Sequence, residues 1–394
     1  MGHKKCKANE KETNDVYPLT DSACISACTG DIAPLNRPYV NSRSDLYSMA
    51  TTTRANAFAT TEKSTRDWAQ TLIKYRSPNS ARAIFELCIT LAPFIALWAL
   101  AWWATSISAF LAISIALLNG LFLVRLFAIQ HDCGHGSFIA NQTSANWIGR
   151  CLGVLTLTPY AVWRKSHAHH HSTSGNLDQQ GMGDVVTRTV DEYASFTRLQ
   201  KFGYRLYRSP FVLFGLAPAY LFVLQNRIPY GFMTKWAQWG SAMGTNLMIA
   251  LLLGTLVYFG GIWPLILVFA PTILVGATVG VWLFFIQHQF EDGHFDHNPD
   301  WNIQDAAFHG SSHYKLPAVL NWMTANIGIH HVHHLNCRIP FYRLPEVLND
   351  HQALSHMQTI TLSDSFQCAR LHLWDEKQRK LLSFAHARAL YGTA

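Results

Sequence analysis

Charge is scarce in this 394-residue chain. Asp, Glu, Lys and Arg together make up 14% of it, against roughly 25% in ordinary soluble proteins. That composition excludes an ordinary water-facing exterior. Paired cysteines are missing as well. The eight Cys, at positions 6, 24, 28, 88, 133, 151, 337 and 368, form no CxxC, so they read as reduced thiols of a cytosol-facing protein. Residues 1–80 contain no apolar core of the signal-peptide kind, and Glu10, Glu12, Asp15 and Asp21 argue against a transit peptide. Met1-Gly2 opens like a myristoylation signal, but Cys6 stands where that signal needs Ser or Thr. No Lys/Arg-rich stretch is interleaved with aromatics, which excludes a nucleic-acid channel.

Apolar residues fill the gap: 49% of the chain is hydrophobic, with 13 Trp and 23 Phe. Four runs, 83–104, 107–128, 243–260 and 264–286, are long enough to cross about 30 Å of hydrocarbon at ~20 residues each. They form two hairpins, turning at Thr105-Ser106 and at Gly261-Ile262-Trp263-Pro264. Two shorter runs, 147–162 and 210–226, have the length of interfacial or re-entrant segments. Residues 129–240 carry ten Lys/Arg, which places that whole region on the cytoplasmic side. A full crossing by 210–226 would put Arg227 and Lys235 on the other side. The net charge of +7 suits contact with anionic membrane lipid. The segment 363–390 reads as a mixed helix on the membrane surface or packed on the rest.

The 20 His are the second anomaly. His131-Asp132-Cys133-Gly134-His135 follows the second run, and its two His, four apart, share one face of a helix. His167-Ala168-His169-His170-His171 and His330-His331-Val332-His333-His334 both contain HxxHH. To build one centre the three clusters must lie on one side of the membrane. The second hairpin supplies the even number of crossings this needs, in agreement with the charge distribution. Imidazoles suit Zn, Cu, Fe or Ni. A catalytic zinc needs only about three protein ligands, so eight or more His favour a dinuclear site, and redox-active iron fits a lipid-facing enzyme.

HDCGH followed by two HxxHH boxes resembles the pattern of the membrane fatty acid desaturases. The flanks agree: Trp163-Arg164-Lys165-Ser166 before box two, Asn176 after it, Asn326-Ile327-Gly328 before box three, and Leu335 and Arg338-Ile339-Pro340 after it. The resemblance covers residues 80–350, and Gln287 to Pro345 looks bacterial. It implies an all-α integral membrane protein: two transmembrane helical hairpins capped by a cytoplasmic helical domain that holds a di-iron centre (Fe2+/Fe3+). In that division residues 1–80 are a polar flexible tail, 81–350 the desaturase domain, and 351–394 a cytoplasmic or membrane-surface helical segment. The ligands it carries over are His131, His135, His167, His170, His171, His330, His333 and His334, with His288 as a ninth at the end of the last span. Phe284 stands where related acyl-CoA enzymes have an Asn, so a water-linked Asn ligand is not expected.

Asp132 and Asn176 are candidates to orient ligating imidazoles through the free ring nitrogen. His169 and His331 fill the variable positions of their boxes and are expected to support ligands or face solvent, His294, His297, His309 and His313 match no motif position and read as polar loop residues, and Cys133 is expected to pack. Glu86 and Arg125 lie within spans, where an ionisable group is costly; Arg125 is near enough to the edge to snorkel. The implied activity is O2-dependent desaturation of a fatty acyl lipid or acyl thioester. HDCGH resembles box one of acyl-lipid ω-6 and ω-3 enzymes, which points to a Δ12 (ω-6) desaturase. No His-Pro-Gly-Gly or flavin-binding glycine fingerprint is present, so the electron donor is expected to be a separate ferredoxin or cytochrome b5 type protein. The competing readings are a hydroxylase built on the same centre and a histidine-rich metal transporter, which would hold its ligands at the membrane midplane.

Overall fold

The computed structural model describes residues 64–392 apart from Met182. Four of its helices are long and apolar enough to cross a membrane: Ser80–Ala104, Ala109–His135, Trp236–Gly260 and Leu265–His288, referred to below as the first to fourth spans. Asn79 and Ser108 cap the first two by accepting backbone N–H bonds. The second span is central. It packs against the first, the fourth and a shorter helix, Gln142–Leu155. Outward-facing Phe110, Leu117 and Leu247 are exposed, as expected of surfaces turned toward hydrocarbon. Exposed Trp103, Tyr258, Phe259 and Trp263 gather about the turns at one end, where interfacial aromatics belong.

The segment read as re-entrant belongs to a pair of helical pieces, Arg198–Tyr207 and Val212–Arg227, bent by 50° where they meet. The first piece is strongly amphipathic. Leu199, Phe202 and Leu206 face outward, while Tyr204 is buried.

Three expectations need correction. The protein is mostly helical but not all-α. Among the described residues, five short strands form two small sheets: β1 (Arg188–Thr189) runs parallel to β4 (Leu373–Asp375), β4 antiparallel to β5 (Lys380–Leu382), and β2 (His313–Lys315) parallel to β3 (Thr359–Thr361). Consequently 363–390 is no single helix. Asp375 Oδ1 accepts the N–H groups of Lys377 and Gln378 and turns the chain back on itself. Finally, the expected tail at 1–80 ends earlier than residue 80. Its residues 1–63 lie outside the described residues, but Thr65–Thr71 is helical and Trp68, Leu72 and Tyr75 are buried. Tyr75 donates to Asp350 Oδ2 at 2.6 Å. Three apolar residues at helical spacing are too short a signal to stand out from polar surroundings.

Arg208 ties distant parts together. Its fully buried guanidinium donates to Val186 O (3.0 Å), Gln289 Oε1 (2.8 Å) and Leu371 O (2.9 Å). Those three acceptors come from the loop after box two, the end of the fourth span and the approach to β4.

Candidate metal centre

His131 and His135 sit one turn apart at the end of the second span. The helix stops there because Gly136 adopts φ 67° and its N–H closes back on Asp132 O and Cys133 O. The chain returns through Gln142–Leu155 to the helix Tyr160–Thr173, which presents His167, His170 and His171. Tyr160 fixes that helix to box one by donating to Cys133 O at 2.8 Å, and Cys133 itself is packed and buried. His288 ends the fourth span. Box three lies on the short helix His330–Leu335. Gly328 lets it dock: a Cβ there would stand 2.4 Å from Tyr314 O.

The nine histidines come together in two groups. His131, His135, His167, His171 and His333 form one, and His170, His288, His330 and His334 the other; the candidate ligand atoms within each lie within 4.8 Å of one another. Nε2 of His171 is 3.1 Å from that of His167 and 3.2 Å from that of His333. Nε2 of His288 is 3.1 Å from that of His170 and 3.0 Å from that of His330. Two nitrogens at right angles around one ion, each about 2.1 Å from it, would be about 3 Å apart. Nε2 of His131, of His135 and of His334 is also buried with no hydrogen-bond partner. Such orphaned nitrogens are costly unless something else satisfies them, and a cation at the focus of each group does so. The donor set fits a metal.

Second contacts fix the rings. His131 Nδ1 faces Asp132 Oδ1 at 3.1 Å, while Asp132 Oδ2 accepts the N–H of Phe341 at 2.7 Å and so links boxes one and three. His170 Nδ1 faces Asp184 Oδ1 at 2.5 Å, and His288 Nδ1 faces Gly310 O at 3.1 Å. Carboxylate and carbonyl oxygens accept, so in these contacts Nδ1 is placed to donate and the Nε2 lone pair points into the group. Burial, reinforced by neighbouring imidazoles, holds His167, His171, His330, His333 and His334 well below the usual histidine range. They stay neutral near pH 7, as ligands must. Trp163 stacks on His167 with centroids 4.7 Å apart, and Phe284 packs on His170 and His288.

Asp184, Gly310 and Trp163 were not assigned these contacts from sequence. Asp184 sits in a glycine-rich loop 14 residues beyond its partner, with no spacing to betray it. Asn176 is placed differently from the expectation. Its side chain is bonded to Asn298 Oδ1 and to the N–H of Asp178, so its visible contacts brace a loop instead of an imidazole. His169 and His331 lie outside both groups; His331 is buried and faces Leu354 O. His294 and His297 face Asp296 and Asp178, His309 faces Gln358, and His313 faces Ser355 O. Arg125 does not snorkel. It is buried, paired with Glu86, and donates to Thr90 Oγ1 (3.1 Å) and to Trp322 O.

Comparison with known proteins agrees with this arrangement. The sequence profile of the family described as fatty acid desaturase matches residues 107–365. The chain belongs to the fatty acid desaturase family. Among its relatives, a fatty acid desaturase of Bacillus subtilis is 40% identical over 313 residues, covering 79% of this chain and 88% of that protein. An sn-1 acyl-lipid omega-3 desaturase (ferredoxin) of Synechocystis is 28% identical over 241 residues, 58% of this chain and 64% of the other. An sn-1 oleoyl-lipid 12-desaturase of Anabaena variabilis is 24% identical over 270 residues, 62% and 70% respectively. This desaturase is therefore an oxidoreductase, and all nine histidines of the two groups fall inside the matched segment.

Proposed function

We propose that the two histidine groups hold two iron ions, five ligands on one and four on the other, and that the enzyme uses O2 to place a double bond in the acyl chain of a membrane lipid. The convergence of nine imidazoles into two metal-sized groups at the ends of the spans carries this reading. Bound iron would supply the redox chemistry that activates dioxygen. The residues do the rest. Asp132, Asp184 and the Gly310 carbonyl hold three imidazoles in one tautomer and orientation. Trp163 and Phe284 present apolar faces beside the groups and keep water from them.

The ligand clusters also constrain the topology. Boxes two and three meet in one place, so the chain between them crosses the membrane an even number of times. The third and fourth spans are two crossings, and the bent pair Arg198–Arg227 therefore turns back. The ten Lys/Arg of 129–240 make this the cytoplasmic side. That side is where a separate electron donor of the ferredoxin or cytochrome b5 type would reach the site.

For the position of the double bond we take Δ12, on the strength of the HDCGH box and of the Anabaena relative named an oleoyl-lipid 12-desaturase. The test is expression in a host that makes oleate but no dienes, with iron measured on the purified protein. A 9,12-diene and two irons per chain are the expected results. New monoenes made from saturated chains would replace the Δ12 assignment. Absence of any unsaturated product with reductant and O2 present would end the desaturase reading of the site.

A further inference from the structure

The spans hold a buried charge pair that is no part of either histidine group. Glu86 in the first span and Arg125 in the second are 2% and 1% exposed, and they pair with each other. Arg82, one turn before Glu86 and half exposed, reaches the other carboxylate oxygen at 2.7 Å. Charges inside a span are costly, and apolar residues of similar volume often replace a buried ion pair with no loss of stability. What this pair adds over such residues is the reach of its guanidinium.

Each nitrogen of Arg125 serves a different group. Nε donates to Thr90 Oγ1 at 3.1 Å, Nη2 to Glu86 and Nη1 to the carbonyl of Trp322. The Trp322 indole also lies over the guanidinium, its centroid 4.1 Å from Cζ, and the Phe341 ring stands 5.4 Å away, both within cation–π reach. Trp322 and Phe341 bracket box three. Trp322 lies near the end of the helix Ala318–Met323, just before the turn in which Ala325 and Asn326 take positive φ. Phe341 follows the box. Its N–H goes to Asp132 Oδ2 at 2.7 Å, and its carbonyl accepts from Asn326 Nδ2 at 3.4 Å. Asp132 in turn faces His131 Nδ1 at 3.1 Å. One guanidinium on the second span, six residues before His131, thus holds both ends of the box-three segment.

The far side of box three is tied elsewhere. The N–H groups of His330 and His331 go to Ser312 O at 3.2 and 3.3 Å, and His331 Nε2 faces Leu354 O at 2.9 Å. These contacts brace the four-histidine side and involve neither Arg125 nor the residues it holds. We propose that Arg125 is a positioning residue for the five-histidine group. Held by Glu86, it sets where box three lies against box one, and so brings His333 to His131, His135, His167 and His171. The proposal rests on the metal reading of that group and on no particular reaction.

Titration of metal-free protein with Zn2+, which imidazoles bind readily, against a competing chelator tests it. Two backgrounds separate the groups. His170→Ala/His288→Ala leaves the five-histidine group whole, and His135→Ala/His171→Ala leaves the four-histidine group whole. Into each goes Glu86→Leu/Arg125→Met, which removes both charges and keeps the volume. The combined variants are expected to unfold near the temperature of their parents. Zn2+ should bind about tenfold more weakly or worse at the five-histidine group and as before at the four-histidine group. Undiminished binding at the five-histidine group would overturn the proposal. So would equal weakening of both groups with a lowered unfolding temperature, which is what general support of the fold gives. Should the charge-free variants not fold, Arg125→Lys decides. Its ammonium still neutralises Glu86, but a point charge cannot serve three partners at once. The same one-sided loss is expected, and wild-type affinity at the five-histidine group would refute the role. Unaltered protein that binds no Zn2+ fails earlier and separately, at the metal reading itself.

Discussion

At the scale of single residues, the metal groups depend on side chains that touch no metal. Asp184 holds His170 at 2.5 Å. Burial opposes its ionisation, yet the facing His170 brings its carboxyl below the ordinary value. Asp184→Ala is expected to cost about 10–100-fold in activity and to release metal from the four-histidine group first. Asp184→Asn, whose carbonyl can still accept the Nδ1 proton, should recover part of both; metal content and turnover measured side by side will show it. His169 points to the opposite outcome. It belongs to box two by sequence but to neither group in space, so His169→Ala should keep near-normal turnover where His167→Ala has none. The clustering of the box histidines was legible because helical spacing puts HxxxH and HxxHH on shared faces. Asp184 and Gly310 were not legible, because only the folded loops bring them to the rings they orient. Asn176 shows the reverse error: a polar residue just after a box, whose bonds go to Asn298 and Asp178 instead.

Among elements, legibility followed length. The four spans declared themselves by runs of apolar residues, and their observed limits differ from the sequence reading mainly where helix continues beyond the hydrocarbon, as from 128 to His135. The strands did not, because two or three residues carry no usable alternation and their partners are far apart in sequence, as Arg188 and Leu373 are. The loop before box three is a tightly constrained connection. Ala325 and Asn326 have φ 52° and 55°, and Gly328 lies against Tyr314 O. Gly328→Ala should destabilise the protein by about 1–3 kcal/mol and lower activity in step, as the box-three helix is pushed off its seat. Thermal unfolding in detergent, compared with turnover at a permissive temperature, measures both.

For the whole molecule, one side of the membrane carries all of the chemistry. A cysteine introduced at Lys235 should react with an impermeant reagent only from the side that also reaches His169; reaction from the other side would mean that the bent pair crosses. Acid should weaken the metal-free protein. Five of the histidines are held well below their ordinary value of 6.5 when folded, so below pH 6.5 the unfolded chain takes up protons that the folded one refuses. Stability then falls as pH drops, by up to about 1.4 kcal/mol per unit for each such group, and added metal should flatten the dependence. Unfolding curves of apo and metal-loaded protein between pH 8 and 5 provide the check. The knot at Arg208 sets an order of events during synthesis. Its guanidinium joins Val186, Gln289 and Leu371, and β1 pairs with β4. The ribosome has therefore made and released box two, both hairpins and box three before the strand that closes the loop beside them exists. On the proposed reading, iron reaches a chain that is already inserted, and a cell short of iron is expected to accumulate folded but empty enzyme ready to be loaded without new translation.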